Sequence, residues 1–336
     1  MKQLKKLTVL CLVLALLCTA LGGCSKSKME EPVATVGEHE VLYEELRYLV
    51  LTEKDLMKAT YGETIFDTPE SAAEYLPELK ESVLEKLKAN YAVLAACKAY
   101  IPSVNIDDKT VKKAVDEYIE TCAEQFGSEK EFFEVSEQYY HMTEGFLRFS
   151  AAVTIMEEML LKELAAQGKF YSTDRQGEFL DWIRQGNGVY VQHVFIRNDA
   201  GEDKEANRLL AEEVREKLAN GSLTISEAVG NAYYNQDAAN AAPYYVVKGV
   251  STPAIEETVF AITKAGKVSP VLETEEGYYV FLRLEDTDEA VLRSQAATLL
   301  SSYQWALTET VVKSYLPSIE FTWTELGKTL NWLEIT

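Results

Sequence analysis

The chain of 336 residues carries 33 Lys and Arg against 54 Asp and Glu, a formal charge of −21, and 47% of it is hydrophobic. That length admits two or three domains, and the apolar fraction excludes a disordered acidic tail. The acidity excludes nucleic acid as a partner, because phosphate binding draws its affinity from clustered Lys and Arg.

The chain opens with a short basic stretch, Lys2, Lys5 and Lys6, followed by an almost unbroken apolar run over residues 7–21. Such a run is short for a membrane span of about 20 residues and has the proportions of a secretory signal. Removing residues 1–23 takes away three lysines and no acid, which leaves 30 basic against 54 acidic residues and a mature charge of −24. The run ends in Leu21-Gly22-Gly23-Cys24, then turns polar at Ser25-Lys26-Ser27-Lys28. This order resembles the lipobox of bacterial lipoproteins. The resemblance implies that Cys24 becomes the mature N-terminus and carries a diacylglyceryl group. Two acyl chains, at about 0.8 kcal/mol per buried CH₂, hold a protein on a membrane without spanning it. The expected location is therefore the extracytoplasmic face of the cell membrane; an ordinary cleaved signal with an incidental cysteine is the alternative.

Of the five cysteines, Cys11 and Cys18 fall in the leader, and Cys97 and Cys122 fall on apolar helical faces, where packing thiols are favoured over the alternative of a disulfide or a reactive site. The chain has no CxxC, HExxH, P-loop or GxGxxG pattern, so neither a metal nor a cofactor is expected.

Past a polar tether, residues 33–41 read as two short extended pieces around Gly37, with a helix from about Tyr43. More than a hundred helical residues follow. Leu79, Val83, Leu87, Tyr91, Leu94 and Cys97 form one stripe; Val111, Val115, Tyr118, Cys122 and Phe126 form another, started by Asp107-Asp108 and ended by Gly127. Residues 146–164 are apolar on most sides and predict a buried central helix.

Near Gly186 the pattern changes. Residues 189–196 predict a strand, and 205–218 a helix with Ala206, Leu210, Val214 and Leu218 on one face. Residues 268–272 and 278–284 predict two further strands around a turn at 274–277. From Glu289 a helix returns, marked by Leu292, Ala296, Leu299, Tyr303 and Ala306, until Pro317 stops it. Residues 319–323 alternate as a strand.

A terminal helix and strand need a partner for their apolar faces, and the N-terminal helical region is the simplest one. The expected fold class is α+β: a mostly helical domain built from both chain ends, with an inserted α/β domain. The expected divisions are a leader at 1–23, a helical region at 24–186, the α/β domain at 187–286 and a closing helix and strand at 287–336.

The α/β segment resembles a parvulin-type peptidyl-prolyl isomerase domain. The marks are His-Val-Phe-Ile at 193–196, Leu-Ala-Asn-Gly at 218–221, Pro-Ala-Ile-Glu-Glu-Thr-Val-Phe-Ala-Ile at 253–262, Ala-Gly-Lys-Val-Ser-Pro-Val at 265–271 and Glu-Gly-Tyr-Tyr-Val-Phe at 276–281. With the lipobox and the helical region, the mature chain looks like the PrsA foldase lipoproteins of Gram-positive bacteria, relatives of the SurA chaperones.

Prolyl isomerisation faces a barrier of about 20 kcal/mol set by amide resonance. A catalyst needs a dry proline pocket, polar groups that favour the twisted amide, and a hold on the flanking peptide. In the family pattern two histidines face each other across adjacent strands, beside a Cys or Asp, while a Met and a Phe line the pocket. Carried over, the first histidine is His193 and the second position is Tyr279, whose phenol is able to keep a hydrogen bond to His193. The Met position falls on Ser251 and the Phe position on Ile255, counted back from Phe260; the Cys or Asp position lies near Asn235 to Asp237. The substrate pocket is thus expected from Ser251, Ile255, Phe260, Asn235 and Asp237. The family's glycine-rich stretch reads Ala-Ala-Pro-Tyr-Tyr at 241–245, so the backbone there is expected to be rebuilt. Tyr233-Tyr234 and Tyr244-Tyr245 are assigned to surface or core by default, among 19 tyrosines.

The function implied is a membrane-anchored foldase for exported, unfolded or proline-containing polypeptides, with a degenerate isomerase site. A fully active isomerase is the alternative. A solute-binding lipoprotein is a remote one, since residues 43–185 lack its repeated strand-helix units.

Overall fold

The computed structural model describes residues 28–198, 203–285 and 289–336, so the leader and Cys24 lie outside the described residues. In chain order, strands β1 (Pro32–Val36) and β2 (His39–Leu42) form a hairpin, followed by helices α1 (Tyr43–Tyr61), α2 (Pro69–Tyr100), α3 (Lys109–Ala123), α4 (Glu129–Tyr140) and α5 (Glu144–Ala166). Then come α6 (Gln176–Trp182), β3 (Gly188–Arg197), α7 (Lys204–Asn220), α8 (Ile225–Val229), β4 (Tyr244–Val247), α9 (Pro253–Phe260), β5 (Leu272–Glu273) and β6 (Gly277–Arg283). The chain closes with α10 (Glu289–Lys313), β7 (Phe321–Trp323) and α11 (Glu325–Thr329). The class is α+β, with a three-stranded sheet ordered β2-β1-β7 and a four-stranded sheet ordered β4-β3-β6-β5.

Two compact units result. One gathers the described residues up to Tyr91, Glu117–Ser150 and Ser318–Thr336; the other holds Ala92–Asp116 and Ala151–Pro317. The first is built from both chain ends, because β7 pairs antiparallel with β1, placing Ala34 opposite Trp323. Gly327 lets α11 lie directly on β1: a Cβ there would stand 2.0 Å from the Val33 carbonyl oxygen.

Helix α1 buries four charged side chains, Glu44, Glu45, Glu53 and Lys54. Each has partners on another segment, as buried charges require. Glu44 accepts from the Thr143 hydroxyl at 2.5 Å. Glu45 accepts from the Tyr91 hydroxyl at 2.9 Å and from Asn90 Nδ2 at 3.4 Å. Glu53 accepts from Ser82 Oγ and pairs with Lys86. Lys54 Nζ donates to the carbonyls of Leu333 and Ile335, each at 3.1 Å.

The stripe from Leu79 to Cys97 on α2 is buried as expected. On α3 the buried face runs Val111, Val115, Ile119 and Ala123, while Tyr118 is 51% exposed and Cys122 is half-buried. From Val115, Ile119 lies about 40° around the helix and Tyr118 about 60° the other way, so a step of three leaves the core. On α7 Ala211 is buried in place of the exposed Ala206. The buried ridge of α10 runs in strict steps of four, Leu292, Ala296, Leu300, Gln304, Thr308 and Val312, with Leu299 and Tyr303 at its flank.

In the second unit β3 is the organising strand. Its pattern is buried at every position but the last. One sheet face carries Tyr190, Tyr245 and Val247 against Phe179, Leu180 and Ile183 before β3 and Leu292, Ala296 and Leu300 on α10. Further along that face Val194, Ile196, Tyr278 and Val280 meet Ala211, Val214 and Leu218 on α7 and Ala228 on α8. The opposite face carries Val189, Val191, Val246 and Phe281, packed with Val259 on α9 and the following Ile262.

Burial raises the Glu45 carboxyl from 4.5 to about 7, against the lowering pull of Tyr91 and Asn90. The unfolded chain therefore releases this proton first, and the associated stability is complete below pH 4.5 and lost as pH rises through 7. Glu45→Gln keeps both hydrogen bonds. It is expected to match the parent below pH 4.5 and to exceed it by about 3 kcal/mol above pH 7, read from urea midpoints across that range.

Candidate functional site

His193 stands on β3 opposite Phe281 of β6, and Phe195 stands opposite Tyr279. Alternation along the strands puts all four side chains on one sheet face. Their rings are in contact: His193 to Tyr279 at 5.5 Å between centroids, His193 to Phe281 at 5.7 Å and Phe195 to Tyr279 at 4.4 Å. Gly277 at the start of β6 permits this approach, since a Cβ there would lie 2.2 Å from the Ile196 carbonyl oxygen.

The imidazole of His193 is 4% exposed. Its Nδ1 is 3.0 Å from the hydroxyl of Tyr244, the first residue of β4. Its Nε2 is 3.4 Å from Asp237 Oδ2, an ion-pair distance without hydrogen-bonding geometry. Burial lowers the His193 pKa below 6.5, while Asp237 pulls it back up, so the ring is neutral at pH 7. Tyr279 is held above its ordinary value by burial and then by Glu276 and Asp237, and it keeps its phenolic proton. The hydrogen bond that Tyr279 is able to make to His193 is absent among the described residues, and the ring pairs with Tyr244 instead. Sequence periodicity gave no sign of this, because the pairing of Val191 with Tyr244 is a contact across fifty residues.

Asp237 and Tyr279 line a cavity of about 440 Å³ together with Phe195, Arg197, Asn198, Asn240 and Glu276. The carboxylate of Asp237 also accepts from Asn240 Nδ2 at 3.0 and 3.1 Å. Arg197, Asn198, Asn240 and Glu276 enter from turns and strand ends, which no periodic pattern marks.

The remaining expected pocket residues separate. Ile255 and Phe260 lie on α9 and pack with Tyr244, Leu272 and Tyr279 around the buried Phe281 cluster. Ser251 lines a different cavity, of about 720 Å³, with residues of α10. Its turn is fixed because the N–H groups of Gly249, Val250 and Ser251 all donate to Glu256 Oε1, at 2.8, 3.1 and 3.1 Å. Asn235 is 3% exposed and clamps the loop to β3. Its Oδ1 accepts from Phe195 N at 3.0 Å, and its Nδ2 donates to the carbonyls of Val229 at 3.3 Å and Asp237 at 3.2 Å.

Among the described residues no group of three or more His, Cys, Asp or Glu is placed to hold a metal, and no helix is long and apolar enough to cross a membrane. The polar chain and aromatic surface are suited to binding a neutral peptide and polarising its amide, without a nucleophile.

No protein-family model and no curated protein matches the chain. Among solved structures it is similar to the peptidylprolyl isomerase PrsA of Bacillus anthracis, at 16% identity and a TM-score of 0.38, over 70% of this chain and 96% of that one. It is also similar to the foldase protein PrsA of Streptococcus pneumoniae, at 17% identity and a TM-score of 0.33, over 76% and 86%. A SurA-like chaperone structure from Campylobacter jejuni, from work on PEB4 and Cj1289, is similar at 13% identity and a TM-score of 0.25, over 88% and 99%. Likenesses this distant assign no activity; the site's own residues have to carry it.

Asn235→Ala leaves buried backbone groups without partners and is expected to cost about 3 kcal/mol of stability. A residue that only touched substrate would change stability by less than about 0.5 kcal/mol. Denaturant unfolding of the variant separates the two.

Proposed function

We propose that this protein is an extracytoplasmic foldase, tethered to the membrane by a lipid on Cys24, whose segment 187–286 is a parvulin-type prolyl isomerase domain with a weakened site. In this reading the helical region 24–186 and the closing segment 287–336 form the chaperone part, and the partners are unfolded or proline-containing exported polypeptides. The observation that carries it is the face bearing His193, Tyr279, Phe281 and Phe195, with Asp237 at the His193 ring and the Ile255–Phe260 side of α9 beside it. A buried imidazole braced between a phenol and a carboxylate supplies fixed dipoles, and such preorganised groups favour a twisted amide over a planar one. The aromatic surface supplies the dry side of a proline seat.

The site is weakened because the residues standing at the family's pocket positions are small or aliphatic. Ser251 is bound into its own turn, and Ile255 offers a branched chain instead of a ring. A mature charge of −24 keeps such a protein soluble beside the membrane and favours basic, unfolded clients.

A protease-coupled assay on Xaa-Pro peptides tests the reaction. The chain from Ser25 is expected to accelerate isomerisation measurably, and His193→Ala to lose about tenfold or more. Equal rates for parent and variant, both at the uncatalysed value, defeat the isomerase reading. Suppression of aggregation of a denatured basic client at stoichiometric amounts tests the foldase reading separately; no suppression counts against it.

A further inference from the structure

His193 has two nitrogens in different surroundings, and the arrangement selects between its neutral tautomers. Asp237 presents a carboxylate oxygen 3.4 Å from Nε2. A lone pair on Nε2 would face that oxygen unfavourably, whereas an N–H there is attracted to it. On the other side, the Tyr244 hydroxyl lies 3.0 Å from Nδ1, with the two rings edge-on at 86°. Burial holds the Tyr244 phenol well above its ordinary value, so it retains a proton to donate. A donating phenol needs the Nδ1 lone pair, the same tautomer that Asp237 favours.

We infer that Tyr244 is the positioning residue of this site: its hydroxyl donates to Nδ1 and holds His193 with the proton on Nε2, the nitrogen on the side of Asp237. The inference rests on the proposed isomerase reading and changes its division of labour. Tyr279 contributes a ring; Tyr244, from the other neighbouring strand, fixes the imidazole. Among the described residues Nε2 is buried without a hydrogen-bond partner.

The local sequence is built for this task. Pro243 fixes the backbone angle leading into β4, and its carbonyl accepts from Gln295 Nε2 of α10 at 3.3 Å. The carbonyl of Ala241 accepts from Gln192 Nε2 on β3 at 2.5 Å. Two buried or half-buried amides therefore anchor the segment that delivers Tyr244. The departure from the family's glycine-rich stretch replaces flexible residues with a proline and a phenol.

The chain has three histidines, His39, His141 and His193, so histidine-selective ¹⁵N labelling of the full chain gives a spectrum in which each ring is assignable by single substitution. The parent is expected to show His193 with a pyrrole-like Nε2 and a pyridine-like Nδ1. Tyr244→Phe is expected to shift the tautomer ratio about fivefold or more toward Nδ1–H, as loss of one neutral hydrogen bond allows, while Tyr279→Phe leaves it unchanged. A parent spectrum with the proton on Nδ1 overturns the inference, even if Tyr244→Phe does not fold. So does a folded Tyr244→Phe protein with the parent's ratio. The readout is independent of catalysis: a parent without isomerase activity defeats the proposed reaction, and the spectrum still decides this assignment.

Discussion

The site depends on satisfying the backbone of β3. Nine of its ten residues are buried, so N–H and C=O groups along both edges need partners inside the protein. Strand β6 supplies one edge over 191–197, and β4 supplies the other only over 188–191. Beyond Val191 that second edge is completed by the loop at 235–236. Phe195 N donates to Asn235 Oδ1, Gln236 N donates to the Phe195 carbonyl, and Arg197 N donates to Gln236 Oε1. The next residue in the chain is Asp237, and the edge pairing is what delivers it to His193. Asp237 is placed here by the need of the half of β3 that β4 leaves uncovered for hydrogen bonds.

The long helices and the strands β3 and β6 were legible because their apolar residues are dense, whereas the strand expected at 268–272 shrinks to β5 at Leu272–Glu273 and β4, Tyr244–Val247, carried no strand signal. The helix faces were less legible. A stripe read from residue identity treats steps of three and four alike, though they diverge by about 100°. On α10 the buried ridge includes Gln304 and Thr308, which no hydrophobic pattern would select. Both are satisfied internally: Gln304 Nε2 donates to the Tyr171 carbonyl and Thr308 Oγ1 to the Gln304 carbonyl. Within the site, His193 was legible by its place in a motif. Tyr244 was not, since its role follows from strand register and carries no local signature.

The first unit shows a related limit. Over Tyr43–Tyr61 the sequence reads as an ordinary charged helix, and four of its charged residues are buried. Such groups add little net stability over apolar ones of equal volume. They do constrain what α1 can pack against, because each demands a specific donor or acceptor: Thr143, Tyr91, Ser82 with Lys86, and the carbonyls of Leu333 and Ile335. The adjacent Glu44 and Glu45 are both raised by burial, and this strain is tolerated only while those partners stay in register.

Prolyl isomerisation breaks no σ bond, so a site can lose individual side chains and remain a site. What it must retain is a dry surface, fixed dipoles and a grip on the chain. Here the aromatic surface is carried by the sheet through Phe195, Tyr279 and Phe281, while the helix contributes Ile255 and Phe260. Each factor of ten in rate corresponds to only about 1.4 kcal/mol of barrier, and one well-placed hydrogen bond supplies that order of energy. A protein that also holds its client by other contacts raises the local concentration of prolyl bonds at the site. On the proposed reading Ser251 and Ile255 leave the pocket small and aliphatic, and what the structure keeps whole is the β3–β6 pairing that carries His193.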